Sequence, residues 1–172
     1  MKRFFLTLLY VVVFSGFSFA QSLTSKVAND QKEVDQVLDL LNKYAAEAKF
    51  ESYFDLFASE STFIGTDALE VWNKKEFMEY AEPHFRKGKA WNFTSIKRNI
   101  TFDSSGKIAW FDELLSTQMK LCRGSGVLEK IDGKWKIKQY VLSMTIPNDN
   151  VNEVIKIKAP IEDEILKEFS RK

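Results

Sequence analysis

The chain has 172 residues, of which 45% are hydrophobic and 14% aromatic. It is long and apolar enough for one globular domain with a sizeable core, which excludes an intrinsically disordered chain. With 25 basic against 24 acidic residues, the sequence has no electrostatic footprint for nucleic acid and no basic patch for a membrane surface.

Residues 1–20 follow the pattern of a secretory signal peptide. Lys2 and Arg3 form a positively charged start, residues 4–14 are apolar, and the tripeptide that ends at Ala20 is of the small-x-small kind that precedes cleavage. The apolar run is shorter than the roughly 20 residues that a membrane-spanning helix needs, and no Cys stands at the cleavage point. We therefore predict cleavage after Ala20 and a periplasmic or secreted mature protein that is not a lipoprotein and has no stable membrane insertion.

Two helices are predicted after a polar lead-in at residues 21–29. The first extends from about Gln31 to Ala48, and Asp30 with Glu33 forms an acidic variant of the capping box at its start. The second is short, from about Phe50 to Ala58, and carries an aromatic stripe on one face.

A short β segment is predicted at residues 62–65, and a third helix follows it. Asn73 and Glu76 occupy the capping positions of this helix, and Pro83 and Gly88 limit its extent. Four long strands come next, with turns of the Asp/Ser/Gly kind that close hairpins. These strands are Asn92–Phe102, Lys107–Thr117, Cys122–Lys130 and Trp135–Ile146.

Helices followed by a contiguous antiparallel sheet indicate an α+β domain, which we place at residues 30–148. Residues 149–172 are predicted to form a C-terminal helical extension with two short helices, Val151–Lys158 and Ile161–Phe169. The second carries an apolar stripe that is expected to pack on the body of the domain.

Tight turns determine which side chains share a face of the sheet. We expect Arg98 opposite Asp112 and Gly126 opposite Gln139, on an inner face that the helices cover. A few polar side chains beside glycines in an apolar concavity are typical of a ligand site. The residues predicted to bind a ligand are Arg98, Trp110, Asp112, Gln139, Ser143 and Trp72, the last as a lid or wall residue.

Two other interpretations of this pattern remain open. In one, Arg98 and Asp112 form a buried pair that only fixes the sheet, and the nearby glycines mark a bulge. In the other, the register differs by one residue. That shift exchanges the two faces and makes Glu113 and Arg123 the pocket pair.

The opposite face of the sheet is predicted to be charged at one end and apolar at the other. An exposed apolar patch usually marks an interface, so we predict a homodimer through the sheet. The predicted interface residues are Phe111, Leu115, Tyr140, Leu142 and Met144.

No metal ion and no cofactor is predicted. The sequence has one His and one Cys, which cannot form a typical zinc site, and no carboxylate cluster has the spacing of a cation-binding loop. Cys122 stands mid-strand among apolar residues, which favours a buried thiol. His84 is predicted to lie on the surface of the third helix.

Five groups of residues carry a resemblance to a known family. They are Gly65–Asp67 with Glu70 and Trp72; Gly88–Trp91; Ala109–Glu113; Arg123–Leu128; and Trp135–Ser143 with Ile146–Asn148. Over about residues 31–148 the chain resembles the SnoaL-like branch of the nuclear transport factor 2-like superfamily. The resemblance implies a cone in which three N-terminal helices pack on a strongly curved antiparallel sheet, and it also implies dimerisation.

The resemblance does not supply a catalytic set. Isomerase-like members of the superfamily use a helix tyrosine and strand carboxylates, and Tyr44 and Asp67 have only a loosely similar spacing. Asp67 also suits the capping of a turn. Many cyclase-like members have a histidine on the last strand, where this chain has Gln139.

The sequence therefore favours an exported, homodimeric domain that binds a small, partly apolar molecule without an assigned reaction. The alternative is a lyase, isomerase or cyclase in which Asp112 is the general acid or base and Arg98 stabilises an anion. An arginine neighbour suits electrostatic stabilisation better than proton abstraction, which counts against this alternative. A second alternative is a protein-interaction domain that acts through the outer face of the sheet.

Overall fold

The computed structural model describes residues 27–171. The helices are α1 (residues 27–46), α2 (Phe50–Asp55), α3 (Lys74–Phe85) and α4 (Val151–Ser170), with a 3₁₀ turn at Asn148–Asn150 before α4. The strands are β1 (Phe57–Ile64), β2 (Val71–Asn73), β3 (Thr94–Phe102), β4 (Ile108–Thr117), β5 (Lys120–Ile131) and β6 (Lys134–Met144). The predicted signal peptide lies outside the described residues. Within residues 27–171, no helix combines the length and the apolar character needed to span a bilayer.

Six strands form one curved sheet in the order β2-β1-β6-β5-β4-β3. The predicted meander is present as β3 to β6, each strand antiparallel to the next. The predicted short β segment is the end of the longer strand β1, which pairs in parallel with β6 and antiparallel with β2. The predicted α+β cone is therefore confirmed, with a sheet that is mixed because β1 joins its far side.

Helices α1, α2 and α3 supply apolar side chains to a single core with the inner face of the sheet. The stripe predicted for α1 is buried, with Val34 and Leu38 fully shielded from solvent. The remaining core is rich in aromatic residues, which bury large areas and pack in specific geometries. Its main members from the other elements are Tyr53, Phe54, Phe57, Phe63, Phe77, Phe85, Phe111, Leu115, Leu128, Trp135, Ile137 and Tyr140.

The start of α3 is a complete capping box, as predicted. The Asn73 side chain accepts a hydrogen bond from the backbone N–H of Glu76 at 3.0 Å, and the Glu76 carboxylate accepts one from the backbone N–H of Asn73 at 2.9 Å. The capping role predicted for Asp30 is wrong, because α1 is already helical at residue 27. The buried Asp30 carboxylate pairs instead with Lys130, at 2.5 Å.

The register predicted for β3 and β4 is wrong by one residue. Asp103 pairs with Ile108, because its backbone N–H donates to the carbonyl of Ile108 at 3.0 Å while its carboxylate accepts from the backbone N–H of Ile108. Phe102 therefore lies opposite Ala109, and the pairs shift with it as far as Lys97 opposite Leu114, beyond which a bulge at Ile96 restores the predicted pairing. As a result, Arg98 faces Glu113 and not Asp112.

The register of β5 and β6 agrees with the prediction only near the hairpin, where Leu128 lies opposite Ile137. Lys138 then has no partner, since the next pair joins Val127 to Gln139. Such a bulge turns the rest of the strand over. Beyond it, Tyr140 points into the core and Gln139 points outward.

The C-terminal extension is one helix, α4, and not the two short helices that were predicted. It continues through Pro160, and none of its residues is buried. The expected packing of its apolar stripe on the body is therefore wrong. Ile157, Ile161 and Leu166 are instead among the exposed apolar residues of the described chain.

Candidate functional site

A cavity of about 210 Å³ opens between the end of β1, helix α3 and the β4–β5 turn. The end of β1, the loop before β2, helix α3, the segment before β3 and the β4–β5 turn all contribute to its wall. Six aromatic side chains form most of this wall, and four polar side chains lie among them. The aromatic residues are Phe63, Trp72, Phe77, Tyr80, Trp91 and Phe93, and the polar ones are Thr66, Glu70, His84 and Gln118.

Five of the six rings of the aromatic wall, all but Phe93, contact one another with nearly parallel planes. The ring of Trp72 lies between Tyr80, at a centroid distance of 4.4 Å, and Phe77, at 5.9 Å. The Phe63 ring lies between Phe77, at 3.9 Å, and Tyr140, at 5.5 Å. Each ring fixes its neighbours, so the cavity has a wall that is formed before any ligand arrives.

The loop from Gly65 to Glu70 holds the only carboxylate among the described residues that line the cavity. The backbone N–H of Gly65 donates to the Glu70 carbonyl at 2.8 Å, and the Glu70 carboxylate accepts from the backbone N–H of Asp67 at 3.1 Å. A Cβ at position 65 would lie 2.2 Å from the Glu70 carboxylate, so only glycine fits there. Asp67 accepts a hydrogen bond from the backbone N–H of Leu69, which is the turn-capping role considered for it.

Behind the Phe63 ring lies a buried network centred on Glu113, which is 1% exposed. One carboxylate oxygen accepts from the Tyr140 hydroxyl at 3.0 Å, and the other accepts from the Arg98 guanidinium at 3.0 Å. Burial raises the pKa of Tyr140 well above its ordinary value, and the adjacent Glu113 charge raises it further. Tyr140 is therefore a neutral hydrogen-bond donor at physiological pH.

Arg98 connects this network to helix α1. Its guanidinium also pairs with Asp35 at 3.0 Å and with Asp39 at 2.9 Å. Burial alone would lower the pKa of Arg98, but the carboxylates of Glu113, Asp35 and Asp39 outweigh it and raise the pKa. Because the Arg98 guanidinium pairs with three carboxylates, two of them on α1, its role is to hold α1 against the sheet.

The predicted ligand-binding residues do not come together. Trp72 lines the cavity, and Arg98 points inward but is held by the network. The other four, namely Trp110, Asp112, Gln139 and Ser143, lie on the outer face as a consequence of the register. There Asp112 accepts hydrogen bonds from Asn99 at 3.2 Å and lies 3.5 Å from Arg123. The alternative register is thus half right, since Glu113 is inside and Arg123 is not.

The predicted interface residues are also largely on the wrong face. Phe111, Leu115, Tyr140 and Leu142 are buried in the core, where a partner chain cannot contact them. Met144 is 54% exposed at the end of β6. Their placement has the same two causes, the Asp103 turn and the bulge at Lys138.

Sequence reasoning missed Glu70 and His84 as cavity residues. His84 was expected on the surface of α3, but it is half-buried, and its ring lies 5.4 Å from that of Tyr80. The spacing of Tyr80 and His84, four residues apart on a helix, was the available signal that they share a face. Cys122 is fully buried, as predicted. Among residues 27–171, no group of His, Cys, Asp and Glu side chains could hold a metal ion.

Comparison with known proteins agrees with this architecture. Residues 34–147 match the family model of the SnoaL-like domain. No curated protein sequence matches the chain.

Three solved structures show the likeness. A nuclear transport factor 2-like protein of unknown function from Pseudomonas putida has a TM-score of 0.60 at 10% identity, covering 72% of this chain and 92% of that one. A candidate dehydratase of the same family from Streptomyces avermitilis has a TM-score of 0.60 at 13% identity, covering 70% and 99%. The association domain of C. elegans CaMKII has a TM-score of 0.55 at 17% identity, covering 68% and 97%. At these identities the structures show the shared fold alone. Because the family model matches more than half of the chain, the protein belongs to the SnoaL-like domain family.

Proposed function

We propose that this protein binds a small, partly apolar molecule in the cavity between β1, α3 and the β4–β5 turn. The observation that carries the proposal is the wall itself, which combines six aromatic rings with a few polar groups. Small-molecule sites are usually concave, mostly apolar and already formed in the free protein. The Glu113 network supports this cavity from behind and stays outside it, because the Phe63 ring lies between them.

The test begins with protein purified from its native host. Native mass spectrometry and a crystal structure should both show a co-purified molecule, and the crystal should place it against Trp72. Trp72→Ala should lose this molecule, whereas Trp110→Ala, which removes a tryptophan from the outer face, should keep it. Both variants must retain the wild-type circular dichroism spectrum. Retention of the molecule by Trp72→Ala would refute this cavity as its site.

Catalysis in the same cavity is the second candidate. The observation that favours it is the presence of His84 beside Tyr80, since histidine is the most common general acid or base. The pairing of Asp112 with Arg98 does not support catalysis, because the two residues lie on opposite faces of the sheet. Incubation of the co-purified molecule with fresh protein, followed by mass spectrometry over time, separates binding from turnover. An enzyme should lose its turnover in His84→Gln.

Self-association would use the outer apolar patch, which we define as Ile64, Trp110, Val127 and Val141. These residues belong to adjacent strands and share the outer face of the sheet, and Trp110 is 46% exposed. One solved structure of the same fold is an association domain. We infer that two copies meet through this patch, which replaces the buried residues first expected at the interface.

Export remains a proposal that rests on the sequence of residues 1–20. Intact-mass measurement of protein from the periplasmic or secreted fraction tests it. The mature chain should begin at Gln21, and a mass that retains residues 1–20 would contradict the proposal.

A further inference from the structure

In the part of the chain that the structure describes, the cavity is lined by one carboxylate and by no Lys or Arg, and this imbalance limits the chemical class of its ligand. Among the described residues that line it, Glu70 is the only Asp, Glu, Lys or Arg. Lys89 lines a second, more polar cavity on the other side of Ala90 and Trp91. No Lys or Arg of the described chain lies within ion-pair distance of Glu70, although many other carboxylates have such a partner.

Glu70 is half-buried, and the hydrogen-bonding capacity of its carboxylate is only partly used. One of its carboxylate oxygens, Oε2, accepts a hydrogen bond from the backbone N–H of Asp67 at 3.1 Å. The other, Oε1, has no hydrogen-bond partner among residues 27–171. A carboxylate of this kind repels anions and can accept charge-assisted hydrogen bonds from a bound cation.

The aromatic wall restricts the rest of the ligand. The Phe63 and Trp72 rings both line the cavity, and each is held by near-parallel contacts with other rings. Ring edges carry the positive part of the aromatic quadrupole and therefore pack well against the face of another aromatic ring. The wall thus attracts a flat ring, while the attraction for a positive charge comes from Glu70.

We propose that the cavity binds a small aromatic amine, with its ring against Phe63 and Trp72 and its ammonium group at Glu70. This inference rests on the proposed ligand-binding function and adds the chemical class of the ligand. No Lys or Arg among the described residues lines the cavity to balance a carboxylate on the ligand, so an aromatic acid should bind more weakly than the amine.

Calorimetric titration with three nearly isosteric probes tests the charge preference: phenethylamine, 2-phenylethanol and phenylacetate. A partly exposed ion pair should favour the amine over the alcohol by about five-fold, and the carboxylate should bind most weakly. Equal or tighter binding of the alcohol by the wild-type protein would overturn the amine proposal and leave small-molecule binding intact. This comparison needs no variant, so it does not depend on the folding of one.

Two variants test whether Glu70 is the group that selects the amine. Glu70→Gln keeps a side-chain oxygen for the N–H of Asp67 and removes the charge, so the preference for the amine should disappear. Glu60→Gln makes the same change in net charge at an exposed position on β1, and the preference should persist. Persistence of the preference in Glu70→Gln would show that another group selects the amine, which would overturn the role of Glu70.

A fourth probe, 2-cyclohexylethylamine, keeps the ammonium group and removes the aromatic face. Weaker binding than phenethylamine supports the ring contact, and equal binding overturns it. If no probe binds at millimolar concentration, the amine proposal fails. The co-purified molecule then tests the proposed function independently.

Discussion

The hydroxyl of Tyr140 donates a hydrogen bond to Glu113 across the strand that separates them, at the position where Gly124 has no side chain. A Cβ on Gly124 would lie 2.4 Å from the Tyr140 hydroxyl and 3.0 Å from Cγ of Glu113. Because Gly124 has no side chain, it leaves the space in which Tyr140 and Glu113 contact each other inside an apolar core. This relationship and the Arg98 ion pairs lead to the first three predictions.

Loss of the Glu113 side chain should strongly destabilise the fold. Glu113→Ala leaves Arg98 buried with part of its charge uncompensated, which typically costs about 3–5 kcal/mol. Asp112→Ala is the matched control on the neighbouring, outward-facing position, and it should change the free energy of unfolding by less than about 0.5 kcal/mol. Urea denaturation of both variants measures this difference.

Removal of both charges should recover much of the loss. In the double variant Arg98→Met with Glu113→Leu, no buried charge is left alone, so its stability should exceed that of Glu113→Ala. Recovery will be incomplete, because Asp35 and Asp39 also lose their partner on the sheet. A double variant less stable than Glu113→Ala would contradict our account of the network.

Gly124→Ala should destabilise by about 1–3 kcal/mol, the usual cost of overpacking a core. Tyr140→Phe removes the hydroxyl that the new methyl group would strike, and it costs about 1–3 kcal/mol by itself, because Glu113 loses a hydrogen bond. The two changes touch the same space and should be coupled. A double-mutant cycle in urea should show a combined loss smaller than the sum, and simple additivity would count against the contact.

Stability should fall at alkaline pH because of the buried tyrosines. The pKa of Tyr140 is raised by burial and by Glu113, and burial also raises the pKa of Tyr53. The folded state therefore holds these protons more tightly than the unfolded state. Their contribution to the free energy of unfolding is fully present below a pH of about 10. It is lost as the pH rises further, by up to about 1.4 kcal/mol per pH unit for each tyrosine.

Urea denaturation as a function of pH measures this effect. Tyr140→Phe should show a shallower fall above pH 10 than the wild-type protein, because one of the two tyrosines is absent. Equal slopes would mean that Tyr140 is accessible to hydroxide in the folded state.

A charge in the outer apolar patch should separate the proposed dimer. Trp110→Glu places a carboxylate where a partner would have to desolvate it, so light scattering should show a monomer with an unchanged circular dichroism spectrum. Ile157→Glu on α4 is the control, since Ile157 is also an exposed apolar residue. Dissociation by Ile157→Glu alone would move the interface to α4.

Much of the fold was predictable because it depends on local signals. The capping pair Asn73 and Glu76, the periodic stripe of α1 and the hairpin turns all act within a few residues of one another. The pairing of β1 with β6 was not predictable in this way, since no local pattern shows which distant strand a segment will join.

The candidate site was predicted poorly for two physical reasons. The Asp103 carboxylate organises its turn through hydrogen bonds that sequence spacing does not show, and the bulge at Lys138 reverses the last strand. Each error moves whole rows of side chains to the other face. In addition, Glu70 and His84 lie in a loop and a helix that only the tertiary structure brings together.

The parallel pairing of β1 with β6 has a consequence for how the chain folds. Phe63 lies beside Tyr140, a partner nearly half the chain away, so the packing around Phe63 is not complete until the final strand is available. Closing so long a loop is entropically costly and slows folding. During synthesis the aromatic residues of β1 and α3 lack their partners until β6 has been made. Their exposed apolar surface favours aggregation during that time. Under the export that we propose from residues 1–20, this delay is also the interval in which the chain remains unfolded and can pass through a translocation channel.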